Sequence, residues 1–195
     1  MSAFKIALSL TFALFAMAFL SRPSPNSDTS TAVDSFKKIL IFKKHQFEIS
    51  TNASGAVREL VIQVSRNNQP LITIRRKTDG WVVDAETADL DQNDSPELYI
   101  YSCTYGSGAF GKVYAFEFFP DSFDAIHVTP LPPPLSEGYM GHDRYKIEDN
   151  YLIRQFPVYR AGDVNARATG GTRIIKYTLE DIDKNLLLTP RGPDR

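Results

Sequence analysis

Tyr105-Gly-Ser-Gly-Ala-Phe-Gly-Lys112 crowds a hydroxyl, two aromatic rings, an ammonium group and flexible backbone onto one bend of chain. Gly106, Gly108 and Gly111 fall within six residues, just before a strand-like run. A two-residue hairpin turn uses one or two glycines at positive φ. A third points to a longer loop that offers hydrogen-bond donors and a ring to a partner. Loops on a rigid scaffold are common places for binding. The groups that would make contact are Tyr105, Ser107, Gly108, Ala109, Phe110 and Lys112. The plainer alternative is a hairpin with Phe110 folded back on the core.

A nucleophilic role for Ser107 is not expected. A hydrolase elbow turns from a strand into a helix, and no helical pattern follows here. His142 and Asp143 could be drawn into a triad with Ser107 on paper, but spacing alone does not support it. His45, His127 and His142 are far apart and lack metal-ligand spacing. There is no phosphate loop, no Cys/His cluster and no evident carboxylate pair. An enzyme is therefore not expected, and no cofactor is implied.

Two other stretches carry polar groups. In Asp89-Leu-Asp-Gln-Asn-Asp-Ser-Pro-Glu97, the positions Asp89, Asp91 and Asn93 have the alternate spacing of the first ligands of a calcium loop. Asp94 stands where such a loop has its Gly, and Ile100 where it has its last Glu. The expectation is a solvated turn without a tight metal, in which Asp and Asn cap their own backbone. The second stretch, residues 156–173, holds Tyr159, Arg160, Arg167 and Arg173. It is either a long solvated connection or a rim of donors beside the first loop.

The elements that must position these groups are short strands. Runs such as KKILIFKKHQFEIS, with a polar interruption at Lys43–Gln46, VRELVIQVSR, LITIRRK, PELYIYSCTY, KVYAFEFF, DAIHVTP, YLIRQFPVY and TRIIKYTLE are β-branched or aromatic and are separated by turn residues. In VRELVIQVSR, Leu60, Ile62 and Val64 share a face, with Arg58, Glu59 and Gln63 expected toward water. Asn67-Asn-Gln-Pro70 turns the chain, and the run pairs with LITIRRK as a hairpin. Tyr114, Phe116 and Phe118 share another face. The fold class expected is all-β, an antiparallel β-sandwich. Single helical turns are expected at Asp34–Lys38 and Leu135–Met140. The proline-rich TPLPPPL at 129–135 reads as an extended crossing between two sheet-forming blocks.

The 195 residues suffice for one core. A hydrophobic share of 43% and a net charge of -1 fit an ordinary globular domain. Lys and Arg are scattered, so nucleic acid is not an expected partner. Residues 1–18 read as a secretory signal, with Lys5, an apolar run and a small-x-small pattern at Ala16-Met17-Ala18. Residues 19–35 read as a disordered linker, 36–188 as the domain and 189–195 as a flexible tail. Cys103 is the single cysteine, so no intrachain disulfide forms. It is expected as a small core residue.

Residues 39–180 resemble the bacterial periplasmic inhibitors of invertebrate-type (I-type) lysozyme. The likeness rests on Asp89–Glu97 followed by Leu98 and then Gly106-Ser107-Gly108, together with Phe156-Pro-x-Tyr-Arg-x-Gly-Asp-x-Asn-Ala166 and Thr169-Gly-Gly-Thr-Arg173. The resemblance implies a periplasmic β-sandwich whose Ser-Gly loop enters the catalytic cleft of an I-type lysozyme. Ser107 and Gly108 match that loop. Phe110 stands where the family has Tyr, keeping the ring without its hydroxyl. The other reading is a β-sandwich module that binds a glycan or an envelope protein.

Export with signal removal predicts a mature N-terminus near Phe19. N-terminal sequencing of the periplasmic fraction checks this, and recovery of the intact chain only in membranes contradicts it.

Overall fold

The structure is a computed structural model that describes residues 35–54 and 57–192. The chain divides into two units, Met1–Ala32 and Val33–Arg195. The expected signal and nearly all of the expected linker lie outside the described residues. Twelve strands occur among the described residues of the second unit: β1 Lys37–Phe42, β2 His45–Ser54, β3 Val57–Arg66, β4 Gln69–Thr78, β5 Trp81–Ala88 and β6 Glu97–Cys103, then β7 Gly111–Phe118, β8 Phe123–Val128, β9 Arg144–Glu148, β10 Tyr151–Pro157, β11 Thr172–Ile182 and β12 Asn185–Arg191. No helix occurs among the described residues, and so none that is long and apolar enough to cross a membrane.

Three hairpins turn on pairs of left-handed residues. Asn67 and Asn68 have φ of 51° and 62°, Asp149 and Asn150 of 49° and 62°, and Asp183 and Lys184 of 52° and 63°. Two successive positive φ values match the twist of the flanking strands, and Asn and Asp tolerate them best after Gly. The strands form two sheets, β1-β2-β3-β4 and β5-β6-β7-β8-β12-β11-β10-β9. The fold is an all-β sandwich.

Alternation along β6 and β7 decides the layering. Leu98, Ile100, Phe116 and Phe118 point one way and pack on Phe47, Ile49, Leu60, Ile62 and Ile74 of the four-stranded sheet. Tyr99, Tyr101 and Ala115 point the other way and pack on Leu152, Phe156, Ile175 and Tyr177 of the same eight-stranded sheet. That sheet therefore curls over itself. Its edge strands meet, with the Ile147 N–H of β9 donating to Glu86 Oε2 of β5 at 2.9 Å, and Tyr101 of the neighbouring β6 stacks on Tyr145 of β9 with ring centroids 5.6 Å apart. β6, covered on both faces, is buried at six of its seven positions, the pattern of a central strand.

Several expectations need correction. The helical turns are absent: Lys37 and Lys38 begin β1, and residues 133–138 form turns closed by bonds such as Glu137 N–H to the Pro134 carbonyl, 3.2 Å. Gly138, at φ 70°, leaves the right-handed helical region and breaks the run. The crossing at 129–135 does not separate two sheets. It joins β8 to β9 within one sheet, and the boundary between sheets falls at Asp79-Gly80 between β4 and β5. The pairing is not wholly antiparallel, because β8 and β12 run parallel through Leu187–His127 and Leu188–Val128. A strand that leaves by a long crossing is free to receive a parallel neighbour. β12 continues to Arg191, beyond the end placed at 188. Arg58 does not face water. It lies two residues before Leu60, so a period of two puts it on the inward face, 9% exposed. Cys103 is half-buried at the end of β6, and burial followed by the charge of Asp143 raises its thiol pKa.

Phe116 is 1% exposed, and its ring meets Phe118 and Phe123 at centroid distances of 6.4 and 6.0 Å. Phe116→Ala should cost about 3–5 kcal/mol in urea unfolding. Ile41→Ala on the exposed edge strand should change stability by less than about 0.5 kcal/mol. Equal losses would mean that the interface between the sheets is not the main core.

Candidate functional site

The bend singled out in the sequence is the loop from Thr104 to Phe110 that joins β6 to β7. Its base is closed like a strand end. Thr104 N–H donates to the Phe110 carbonyl at 2.9 Å, and Phe110 N–H donates to Thr104 Oγ1 at 3.0 Å. Within the loop, Ala109 N–H donates to the Gly106 carbonyl at 3.2 Å. That turn needs Gly106 at φ 111°, a region that favours glycine.

Two distant segments, residues 142–143 and Asn165, hold the loop from behind. Gly111 N–H donates to Asp143 Oδ2 at 2.7 Å. His142 N–H reaches the carbonyls of Gly108 and Ala109 at 2.8 and 3.1 Å. Asn165 Nδ2 donates to the Ser107 carbonyl. The approach of residues 141–142 requires Gly141. It sits at φ 95°, and a Cβ there would lie 1.9 Å from the Gly108 carbonyl oxygen. Every anchor on Ser107, Gly108 and Ala109 is a backbone carbonyl, so side chains at the tip can change without loss of these bonds.

Asp143 is the hub of this region. Its side chain is fully buried and Arg154 is 11% exposed, with Nε donating to Asp143 Oδ1 at 2.7 Å. Asp143 Oδ2 also accepts from the Tyr139 hydroxyl at 2.6 Å. Burial, then the bond to Asp143, pushes the Tyr139 phenol pKa up, so the group stays protonated and donates. The Arg154 guanidinium lies over the Tyr139 ring, 4.7 Å from its centroid. Tyr139 in turn meets Phe110 edge-on at 5.8 Å. Phe110 is therefore supported on one side while remaining 47% exposed.

The residues named from the sequence separate into two groups. Ser107 is exposed, Tyr105 and Phe110 are exposed, and Gly108 and Ala109 are half-buried beside them. Tyr105 is steadied by Arg58 Nε, which donates to its hydroxyl at 2.7 Å, and by Trp81 with ring centroids 5.1 Å apart. Lys112 turns away from the tip, pairing with Asp79 Oδ2 at 2.7 Å, because alternation along β7 aims it at the β4–β5 turn. Tyr159 is buried at 8% exposure and donates to the Asn165 carbonyl at 2.8 Å. It braces the second loop and is not a contact surface. Ala109 N–H is occupied by the Gly106 carbonyl and is not an open donor. Arg160 is exposed. Arg173 does not join a rim, since its Nη1 donates to the carbonyls of Leu135 and Glu137 at 2.9 and 2.6 Å.

The second loop is braced by Asp163. Its carboxylate accepts from Arg160 N–H at 2.7 Å and from Thr169 N–H at 2.9 Å, and these bonds lower its pKa. This places Asn165 against Ser107. Asn165 and His142 are the positions that sequence reasoning missed as loop supports. The glycine before His142 was the available signal, since a close backbone approach calls for one. No triad forms: the His142 ring meets Asn165 Oδ1 at 3.4 Å, and Asp143 serves Gly111, Tyr139 and Arg154.

At the opposite end of the β6–β7 hairpin lie Asp89, Asp91 and Asn93, between β5 and β6. Asp89, Asp91 and the fully buried Glu97 come together, and Glu117 pairs in register with Glu97 across β6 and β7. Burial first, then the charges of Asp91, Glu117 and Asp89, push the Glu97 carboxyl up to about 8. The solvated turn expected here is thus backed by buried carboxyl groups.

Asp143→Asn should leave Arg154 without its charged partner and cost about 3–5 kcal/mol, as breaking a buried ion pair does. Chemical denaturation reads this, and a loss under about 1 kcal/mol would show that Asp143 does not hold the loop base.

Among known proteins, no family model and no curated sequence matches this chain. A solved structure, a mutant of the Bombyx mori GH32 β-fructofuranosidase in complex with sucrose, aligns with a TM-score of 0.37 and 11% identity. The alignment covers 80% of this chain, which spans 37% of that one.

Proposed function

We propose that the loop Gly106–Gly111 is an insertion element that blocks the catalytic cleft of an I-type lysozyme, and that the protein works in the periplasm to protect peptidoglycan. The observation that carries this reading is the preorganised loop: Ser107 and Phe110 are exposed on a tip whose backbone is fixed by Asp143, His142 and Asn165. A loop held in one conformation before docking loses little entropy on binding. A glycosidase cleft presents two carboxyl groups. The Ser107 hydroxyl and Gly108 N–H supply neutral donors to them, while Phe110 supplies a ring for an apolar wall of the cleft. The resemblance in residues 39–180 names the target class, and the supported loop makes the mechanism physically workable.

The test is lysis of cell walls by I-type, C-type and G-type lysozymes, with and without the purified protein. Inhibition of the I-type enzyme is expected. Ser107→Ala should weaken it by roughly tenfold, the value of one hydrogen bond near 1.4 kcal/mol. Phe110→Ala should cost more, because central aromatic anchors carry about 2 kcal/mol or more. Phe110→Tyr should hold or tighten inhibition. Asn165→Ala should weaken it by about threefold through loss of one loop support. Arg160→Ala and Lys112→Ala should matter least, since exposed charges contribute about 0–1 kcal/mol. Inhibition that survives both Ser107→Ala and Phe110→Ala would reduce the loop to a connection. No inhibition of any lysozyme would favour the glycan or envelope-protein module.

A further inference from the structure

We propose that Asp89, Asp91 and Glu97, backed by Glu117, form a calcium site at the turn between β5 and β6. The site lies at the end of the β6–β7 hairpin away from the binding loop and does not depend on the function proposed for that loop.

Carboxylate oxygens of Asp89, Asp91 and Glu97 all lie within 4.8 Å of one another. Oxygen ligands sit about 2.4 Å from calcium, so oxygens on opposite sides of one ion are about 4.8 Å apart. The three groups therefore fit a single coordination shell. The donors are hard oxygens without His or Cys, which suits calcium and disfavours zinc.

An independent observation comes from Glu117. Its side chain is fully buried on β7, yet Glu117 Oε2 has no hydrogen-bond partner. Its other oxygen accepts from Asn93 Nδ2 at 2.6 Å, and the same amide nitrogen donates to Asp91 Oδ2 at 2.8 Å. One amide thus joins Glu117 to Asp91 of the cluster, and the charges of Asp91 and Asp89 act on its carboxyl group. Asp89 Oδ1 is a second buried oxygen without a partner. Leaving ionised oxygens buried and unpaired is costly. Both become satisfied if a cation takes the place that the protein leaves to them.

Among the described residues, too little positive charge is bonded to the cluster. Lys43 Nζ reaches Asp89 Oδ2 at 3.1 Å and Asp94 Oδ1 at 2.8 Å, so it is shared with a carboxylate outside the cluster. Glu97 accepts the Leu90 N–H, shared between its two oxygens at 2.8 Å each. Asp124 stands opposite Glu117 in register on β8 and adds further negative charge. The two objections from sequence are met by the fold. Asp94 adopts φ 70° without being glycine. The missing final Glu is replaced by Glu97 on β6 and Glu117 on β7, the second of which no local spacing reveals.

The experiment uses the full protein, stripped with EDTA. Calorimetric titration with calcium chloride should show saturable binding at one site. Melting temperature should rise by about 5 °C or more between EDTA and millimolar calcium, as saturation of a native-state site gives. Asp91→Asn, at an exposed position, should fold normally, bind calcium at least about tenfold more weakly and lose most of the shift. Glu117→Gln should weaken binding as well. Identical melting curves in calcium and EDTA with no binding heat would overturn the site. So would Asp91→Asn and Glu117→Gln variants that bind as the wild type does. Magnesium binding as tightly as calcium would overturn the choice of ion.

Discussion

Burying Asp143 with Arg154 is the constraint on which the loop end of the molecule depends. A buried carboxylate has to be paired and hydrogen-bonded, or its desolvation outweighs what folding gains. Here one oxygen takes Arg154 Nε and the other takes both Gly111 N–H and the Tyr139 hydroxyl. These partners come from β10, the start of β7 and the β8–β9 crossing. Meeting the needs of one charge therefore fixes three segments relative to each other. The geometry of residues 104–110 follows, because β7 must begin where Gly111 is held.

Side chains of the exposed tip are left out of this arrangement. Ser107 is held through its carbonyl, and Phe110 leans on Tyr139 with one edge. The backbone carries the structure of the loop, so the side chains of the tip can vary while its shape persists. The second loop contributes in the same way, with Asp163 and Tyr159 fixing Asn165 against the carbonyl of Ser107.

The β6–β7 hairpin links the loop to the carboxyl cluster. The loop caps one end, and Glu97 with Glu117 stands at the other. The seven residues of β6 span about 20 Å at roughly 3.3 Å per residue. Both strands are covered by the four-stranded sheet on one face and by β10 and β11 on the other. That burial makes the hairpin a rigid support, and it explains why ionisable groups at its end are desolvated so strongly.

Local sequence determined the strands, the left-handed turns at Asn67-Asn68 and the prominence of Gly106–Gly111, because period-two burial and turn chemistry act between near neighbours. It also placed Ser107 and Phe110 at an exposed bend. Where the reading failed, the deciding contact was distant. Arg58 is an exception, since its parity with Leu60 was visible in the sequence. Lys112 was drawn away by Asp79, 33 residues earlier. Gly111 found Asp143 32 residues later, and Ser107 found Asn165 58 residues later. Glu117 reached the Asp89–Glu97 turn only because β7 pairs with β6. Pairing and curl of the sheets decide which charges are buried together. Those are nonlocal choices, set by the burial of whole strand faces and not by the residues beside each group.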